Sequence, residues 1–411
     1  MTRVALLPSS YPPALGGVEE LTRHLALHLR QAGDDVEVWT GTPTDRHPET
    51  AEVLDGLVVR RLPMPLPATN LASLVRTATT GVRTLAALRR AVVAFRPDVL
   101  HVQCFGPNGA YAAALSRLTG VPLVVTLQGE TLMDDADIFE ESRVLRSALR
   151  HGLQRAAEVT ACSGFTLEDA VRRFGLAAGR GRVIPNGVEI GEREAGAPAP
   201  SRRPRSSVVP GDRPYAFALG RLVPKKGFDL LIEAYASLDE AHRTVDLAIA
   251  GSGPSGPDLE RRVAELGLDG RVHLLGRLSR DDVARVMAGA RFFVMPSRLE
   301  PFGIVVLEAW RSGAPVVASS RGGAPEFVRD GADGLLVDPT DAEALAAALA
   351  RLSQDGRLRG RLSRAGRERV ADFSWSALTP RYREVHRAAA RPVPDSEPAH
   401  AIMAADQGGI A

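Results

Sequence analysis

Two glutamates with seven residues between them frame the segment Glu300-Pro-Phe-Gly-Ile-Val-Val-Leu-Glu308, which follows an apolar run ending at Ser297. Pro301 and Gly303 keep Glu300 in a turn, and a helix is expected to begin near Gly303. The first amides of a helix have no acceptor one turn back. Here they fall around Phe302, Gly303, Ile304 and Val305, and together they suit an anionic phosphate. Glu308 then lies in the second turn, where a carboxylate can accept two hydrogen bonds from a diol such as ribose. The same carboxylate would repel phosphate, so hydroxyls are its expected partners.

A cationic turn precedes this segment. Leu219-Gly-Arg-Leu-Val-Pro-Lys-Lys-Gly227 follows the apolar run YAFAL, and its Lys225 and Lys226 are the sole lysines among 51 Lys and Arg. Arg221 can offer a planar fork to phosphate oxygens and Lys226 a point charge. Glycines sit at other turns after apolar runs: Gly16 and Gly17 near the start, and Gly253 within Gly251-Ser-Gly-Pro254.

In this order the motifs resemble the retaining GT-B glycosyltransferases of family 4, the group 1 glycosyl transferases, over nearly the whole chain. The resemblance implies that Arg221 and Lys226 hold the donor diphosphate, Glu300 the hydroxyls of the transferred sugar and Glu308 the ribose. It implies that Gly16 and Gly17 close on the donor phosphates, and that Gly253 and Arg277 (in Leu275-Gly-Arg277) border the nucleotide. It also implies a metal-free, front-face reaction with retention and no separate cofactor, with a nucleotide sugar, most commonly a UDP-sugar, as donor. A hexosyltransferase-type activity follows. A GT-B nucleotide-sugar 2-epimerase and a non-catalytic nucleotide-sugar-binding protein are the alternatives. Pro185-Asn-Gly-Val188 is similar to the family's crossover element, with Glu189 where Asp is frequent. In Thr126-Leu-Gln-Gly-Glu130, Gln128 replaces a frequent His. Gln can bond a sugar hydroxyl but cannot carry a proton.

Other reactive side chains have plainer readings. Glu130, Asp134 and Asp135 read as a solvated acidic loop. His101, on an apolar run, reads as a packed histidine, and Glu326 of Gly322-Gly-Ala-Pro-Glu326 is open between a structural and a functional role. Cys104 and Cys162 read as buried thiols. Arg76, Arg83 and Arg90 recur along Leu71–Arg96 and read as a solvated face, with peripheral membrane contact as the alternative.

The elements that must position these groups follow from periodicity. Strands are expected at Arg3–Pro8, Val36–Thr40, Val58–Leu62, Val99–Gln103, Leu123–Leu127, Val159–Cys162 and Arg182–Pro185. They resume at Tyr215–Leu219, Asp246–Ala250, Val272–Leu275, Phe292–Met295, Val316–Ser319 and Leu335–Val337, with helical patterns between most of them. Such alternation predicts parallel sheets covered on both faces. With 411 residues, 45% hydrophobic and 24% charged, the chain suits two α/β cores. The expected fold class is α/β, with two doubly wound Rossmann-like domains facing a central cleft. The first spans 1–188 and carries the acceptor side; a linker of Pro, Ala, Ser and Arg covers 189–213. The second spans 214–374, a helix at 375–392 is placed to pack back on the first domain, and 393–411 reads as a disordered tail. A net charge of +2 excludes bulk electrostatic binding of nucleic acid. No apolar run is long enough for a signal or a membrane span, so a cytoplasmic location is expected. The resemblance implies an acceptor that is a polysaccharide, a glycolipid or a small metabolite, held by loops of the first domain.

Overall fold

The computed structural model describes residues 1–14, 16–42, 49–66, 71–133, 138–191 and 208–391. The first sheet contains β1 (Arg3–Pro8), β2 (Asp35–Gly41), β3 (Thr50–Leu54), β4 (Leu57–Leu62), β5 (Val99–Gln103), β6 (Leu123–Leu127), β7 (Glu158–Ala161) and β8 (Arg182–Val183). Its order is β3-β4-β2-β1-β5-β6-β7-β8. All neighbours pair parallel except β3, which runs antiparallel to β4 at the edge. The second sheet contains β9 (Tyr215–Leu219), β10 (Asp246–Ala250), β11 (Val272–Leu274), β12 (Phe292–Met295), β13 (Val316–Ser319) and β14 (Leu335–Val337). It is parallel throughout, in the order β11-β10-β9-β12-β13-β14.

The central strands β5, β6, β10, β12 and β13 are buried at every position, as strands with helices on both faces must be. Each sheet accordingly has two apolar clusters, one on each side. Leu100, Val102 and Leu115 belong to one cluster of the first sheet, and Leu6, Leu25 and Leu29 to the other. In the second sheet Ile232, Leu247 and Leu349 lie on one side, with Phe217, Phe293 and Trp310 on the other. Parallel strands leave their connecting turns at the carboxyl ends, and in both sheets the glycine-rich turns lie there.

The last helix, Trp375–Ala390, closes the first sheet. Its Trp375, Tyr382, Val385 and Ala389 share a buried cluster with β1, β2 and the helix Gly17–Gln31. The chain crosses between the sheets twice, side by side: Val188 N–H donates to the Phe373 carbonyl at 2.9 Å, and Val188 bridges Ser374. A Cβ on Gly187 would lie 2.8 Å from the Trp375 ring, so the outward crossing is seated directly on that indole.

Three sequence expectations need correction. The strand Thr50–Leu54 was not anticipated; four of its five residues are exposed, so it carries no buried apolar run. The linker does not extend to Arg213, because Val209 is 1% exposed and packs among the second unit's core side chains. The eighth strand stops at Val183 rather than Pro185. Residues 192–207 of the linker, the tail 393–411, Leu15, Asp134 and Asp135 lie outside the described residues. No helix among the described residues is long and apolar enough to cross a membrane.

The second core supplies a stability test. Trp310 is fully buried, donates to the Asp333 carbonyl at 3.0 Å and meets Phe327 edge-on. Trp310→Ala removes that volume and orphans a carbonyl, so urea unfolding should show the second unit weakened by about 3–5 kcal/mol. A midpoint unchanged from wild type would contradict this packing.

Candidate active site

The two signature turns meet at Glu300. Lys226 Nζ donates to Glu300 Oε2 at 2.6 Å, and Ser297 Oγ donates to the same oxygen at 3.0 Å. Among the described residues no side chain donates to Oε1. Local backbone chemistry puts both groups there. Lys226 ends a single helical turn, Pro224–Lys226, capped by Gly227 in the left-handed region at φ 67°. A Cβ on Gly227 would come within 2.1 Å of the Pro296 carbonyl, so only glycine lets the cationic turn lie against the turn leading to Glu300. The Glu300 backbone is clamped from the other side, its carbonyl accepting from Gly323 N–H at 2.8 Å and its N–H donating to the Arg321 carbonyl at 3.1 Å. Glu300 as a whole residue is 7% exposed.

The helix Ile304–Arg311 begins at Gly303, whose φ of 94° turns the chain into it. Phe302 points inward and stacks on Phe327, with centroids 4.6 Å apart, so only its backbone can face a ligand. Ile304 and Glu308, one helical turn apart, line a cavity of about 580 Å³ together with Gly16, Arg277 and Leu278. Burial pushes the Glu308 carboxyl above its ordinary range, and Arg311 and Arg280 pull in the opposite direction. Gly16, from the first domain, thus lines the same cavity as Arg277, Ile304 and Glu308 of the second. Gly17 does not line this cavity, and a Cβ there would meet open space. Gly253 also lies elsewhere: a Cβ on it would be 2.4 Å from the Leu222 carbonyl, so it lets the two turns after β9 and β10 stack. Arg221 is exposed and reaches across the cleft, with Nη2 donating to the Met133 carbonyl at 3.2 Å.

The first domain meets this turn through three contacts. A Cβ on Gly129, at φ 88°, would strike Pro301 at 2.2 Å. Ser163 Oγ donates to the Pro301 carbonyl at 2.6 Å. Glu326 accepts from the Gly164 and Phe165 amides at 2.7 and 2.8 Å, capping the helix Gly164–Phe174 from the opposite domain. This is a structural role for Glu326. Ser297, Ser163 and the Glu20–Arg280 ion pair across the cavity mouth were not anticipated. Ser297 alone had a local signal, three residues before Glu300; the others are joined across more than a hundred residues.

Gln128 stands beside Gly129 and begins a buried polar chain. Its Nε2 donates to Gln103 Oε1 at 3.1 Å, and Gln103 Nε2 is 3.1 Å from His101 Nε2. His101 is fully buried, 2.7 Å from Thr126 Oγ1 and 2.9 Å from His386 Nε2 on the last helix. It is a packed histidine. Cys104 and Cys162 are free thiols, raised by burial, Cys162 to about 12. Arg83 and Arg90 are exposed on Leu71–Phe95, beside the outward-facing Val82 and Val93.

Glu130 corrects the reading of a solvated acidic loop. Its two oxygens accept from the Phe105 amide at 2.6 Å and the Gln128 amide at 2.7 Å, fixing the loop that carries Gln128. Burial pushes its carboxyl up to about 7. A folded value above the unfolded one gives stability that is complete below about pH 4.5 and is lost as pH rises through about 7. Relative to Glu130→Gln, wild type should lose roughly 2–3 kcal/mol across that window, read from melting temperature against pH. Parallel pH profiles would contradict the enclosure of this carboxyl.

Comparison with known proteins agrees with this geometry. Residues 201–369 match the family described as glycosyl transferases group 1, and residues 16–187 match the glycosyl transferase 4-like domain. The chain is 31% identical over 297 residues to alpha-D-kanosaminyltransferase of Streptomyces kanamyceticus, covering 70% of this chain and 77% of that protein. Sucrose-phosphate synthase from Thermosynechococcus elongatus superposes with a TM-score of 0.74 at 25% identity, covering 94% of this chain and 98% of that one. The Anabaena protein HepE, solved in complex with UDP and glucose, superposes with a TM-score of 0.72 at 21% identity, covering 94% and 100%. The chain belongs to the glycosyl transferases group 1, and its two facing doubly wound domains are the GT-B fold.

Proposed function

We propose that this glycosyltransferase uses a nucleoside-diphosphate sugar, a UDP-sugar first of all, and transfers its glycosyl unit with retention to an acceptor hydroxyl without a metal ion. The observation that carries the reading is the state of Glu300. One oxygen is held by Lys226 and Ser297, and the other has no side-chain donor among the described residues. A carboxylate so fixed can accept from sugar hydroxyls but cannot swing to attack a carbon. The complex of HepE with UDP and glucose supports the choice of donor.

In this reading the nucleoside lies in the cavity beside Arg277, with Glu308 on its ribose hydroxyls and Gly16 opposite. The diphosphate faces Lys226, Arg221 and the first amides of Ile304–Arg311, all positive where charge builds during departure. The anomeric carbon–phosphate oxygen bond breaks, and the acceptor oxygen bonds to the same face of that carbon. The leaving phosphate oxygen takes the acceptor's proton. Gln128 holds a hydroxyl and is not needed as a base. Metal independence rests on the cationic groups. The sequence has an Asp-x-Asp, Asp135-Ala-Asp137, in a stretch outside the described residues. The acceptor hydroxyl enters along the loop of Gln128, Gly129 and Glu130.

Glu300→Ala should lower transfer at least about 100-fold while nucleoside-diphosphate affinity stays within about 3-fold of wild type. Lys226→Ala should do the reverse first, weakening diphosphate binding about 10-fold or more. Transfer rates with a radiolabelled donor, set beside calorimetric affinities, check both. Normal turnover in Glu300→Ala, or unchanged affinity in Lys226→Ala, would remove that residue from the proposed site.

A further inference from the structure

We infer that His24, His28 and Glu189 form a binding site for one transition-metal ion of the zinc class, at the point where the chain crosses between its two sheets. The two histidines lie four residues apart on the helix Gly17–Gln31 and so share one face. Glu189 comes from the crossing that follows Val188. Its Oε2 is 3.3 Å from His24 Nδ1 and 2.9 Å from His28 Nε2, and one ligand atom from each residue lies within 4.8 Å of the others. Zinc–nitrogen and zinc–oxygen bonds of about 2.0–2.1 Å place tetrahedral ligands roughly 3.3 Å apart. Small side-chain adjustments therefore admit an ion.

The surroundings have the character of a metal centre. A ligating imidazole needs its other nitrogen directed to an acceptor. Glu20 stands on that side of His24, its Oε2 3.6 Å from Nε2, within ion-pair reach of the ring. Trp375 stacks against both rings at 6.3 and 6.4 Å, with interplanar angles of 17° and 23°. The Glu189 carbonyl is held by Arg311 Nη1 at 3.0 Å. Two imidazoles converge on a single carboxylate oxygen. Imidazole donors select zinc, nickel or copper over magnesium and calcium. His24 and Glu189 also line the cavity, which gives an entry path and leaves a fourth position for water. Arg221, Lys226 and Glu300 take no part, so the ion would tie the first helix to the crossing and would not serve the diphosphate.

Zinc chloride titrated into untagged, EDTA-stripped full-length protein at pH 7.5 tests the site by calorimetry. One ion per chain is expected, with affinity reduced at least 100-fold in His28→Ala and Glu189→Gln, and about 10-fold in Glu20→Gln. X-ray absorption should report nitrogen and oxygen at about 2.0–2.1 Å and no sulfur. A zinc-dependent rise in melting temperature, present in wild type and absent in Glu189→Gln, guards against a variant that merely misfolds. Absence of saturable binding, wild-type affinity in His28→Ala or a sulfur shell would overturn the assignment. None of these readouts requires glycosyl transfer.

Discussion

The hydrogen-bonded pair of Lys226 and Glu300 joins the two turns on which the site depends. One turn leaves β9 and the other β12, adjacent strands of the second sheet. Their side chains meet at 2.6 Å because Gly227 admits the Pro296 carbonyl where any Cβ would collide. The pair is nearly sealed, with side-chain exposures of 18% and 9%, so each charge depends on the other for compensation. This contact brings a cation and a carboxylate from two different turns to one point. In the proposed reaction Lys226 faces the leaving phosphate and Glu300 the sugar.

The second constraint is the fit between domains. Pro301, next to Glu300, is covered by Gly129 and accepts from Ser163, while Glu326 caps a helix of the opposite domain. The Glu300 turn is therefore a contact between the domains as well as the proposed sugar-binding turn. On the far side of the cleft Glu20 and Arg280 pair across the cavity mouth, and Trp375 sits under both chain crossings.

Much of this was legible in the sequence because parallel strands covered on both faces appear as uninterrupted apolar runs. Val99–Gln103, Leu123–Leu127 and Tyr215–Leu219 fall at the predicted positions for that reason. Thr50–Leu54 was invisible because an edge strand with exposed side chains has no such run. The two signature turns stand out by residue type and by position after a strand, and the structure brings Lys226 to Glu300 and lines one cavity with Gly16 and Glu308. Gly253 packs against the turn that carries Leu222, and a glycine required by a neighbouring turn looks the same in sequence as one that faces a ligand. Glu130 was misread because its partners are backbone amides at Phe105 and Gln128, which leave no trace in residue type. The crossing cluster of His24, His28, Glu189 and Trp375 spans three distant segments and could not be assembled from spacing.

The most direct measurement of the central claim is a thermal-shift series in EDTA with UDP, GDP, ADP and their common sugar conjugates. A ligand that binds only the folded chain raises the melting temperature in proportion to its occupancy. The account predicts a clear rise with one nucleotide and its sugar conjugates, lost in Arg221→Ala. No rise with any of them at millimolar concentration would contradict a nucleotide-sugar site built from Arg221, Lys226, Glu300 and Glu308.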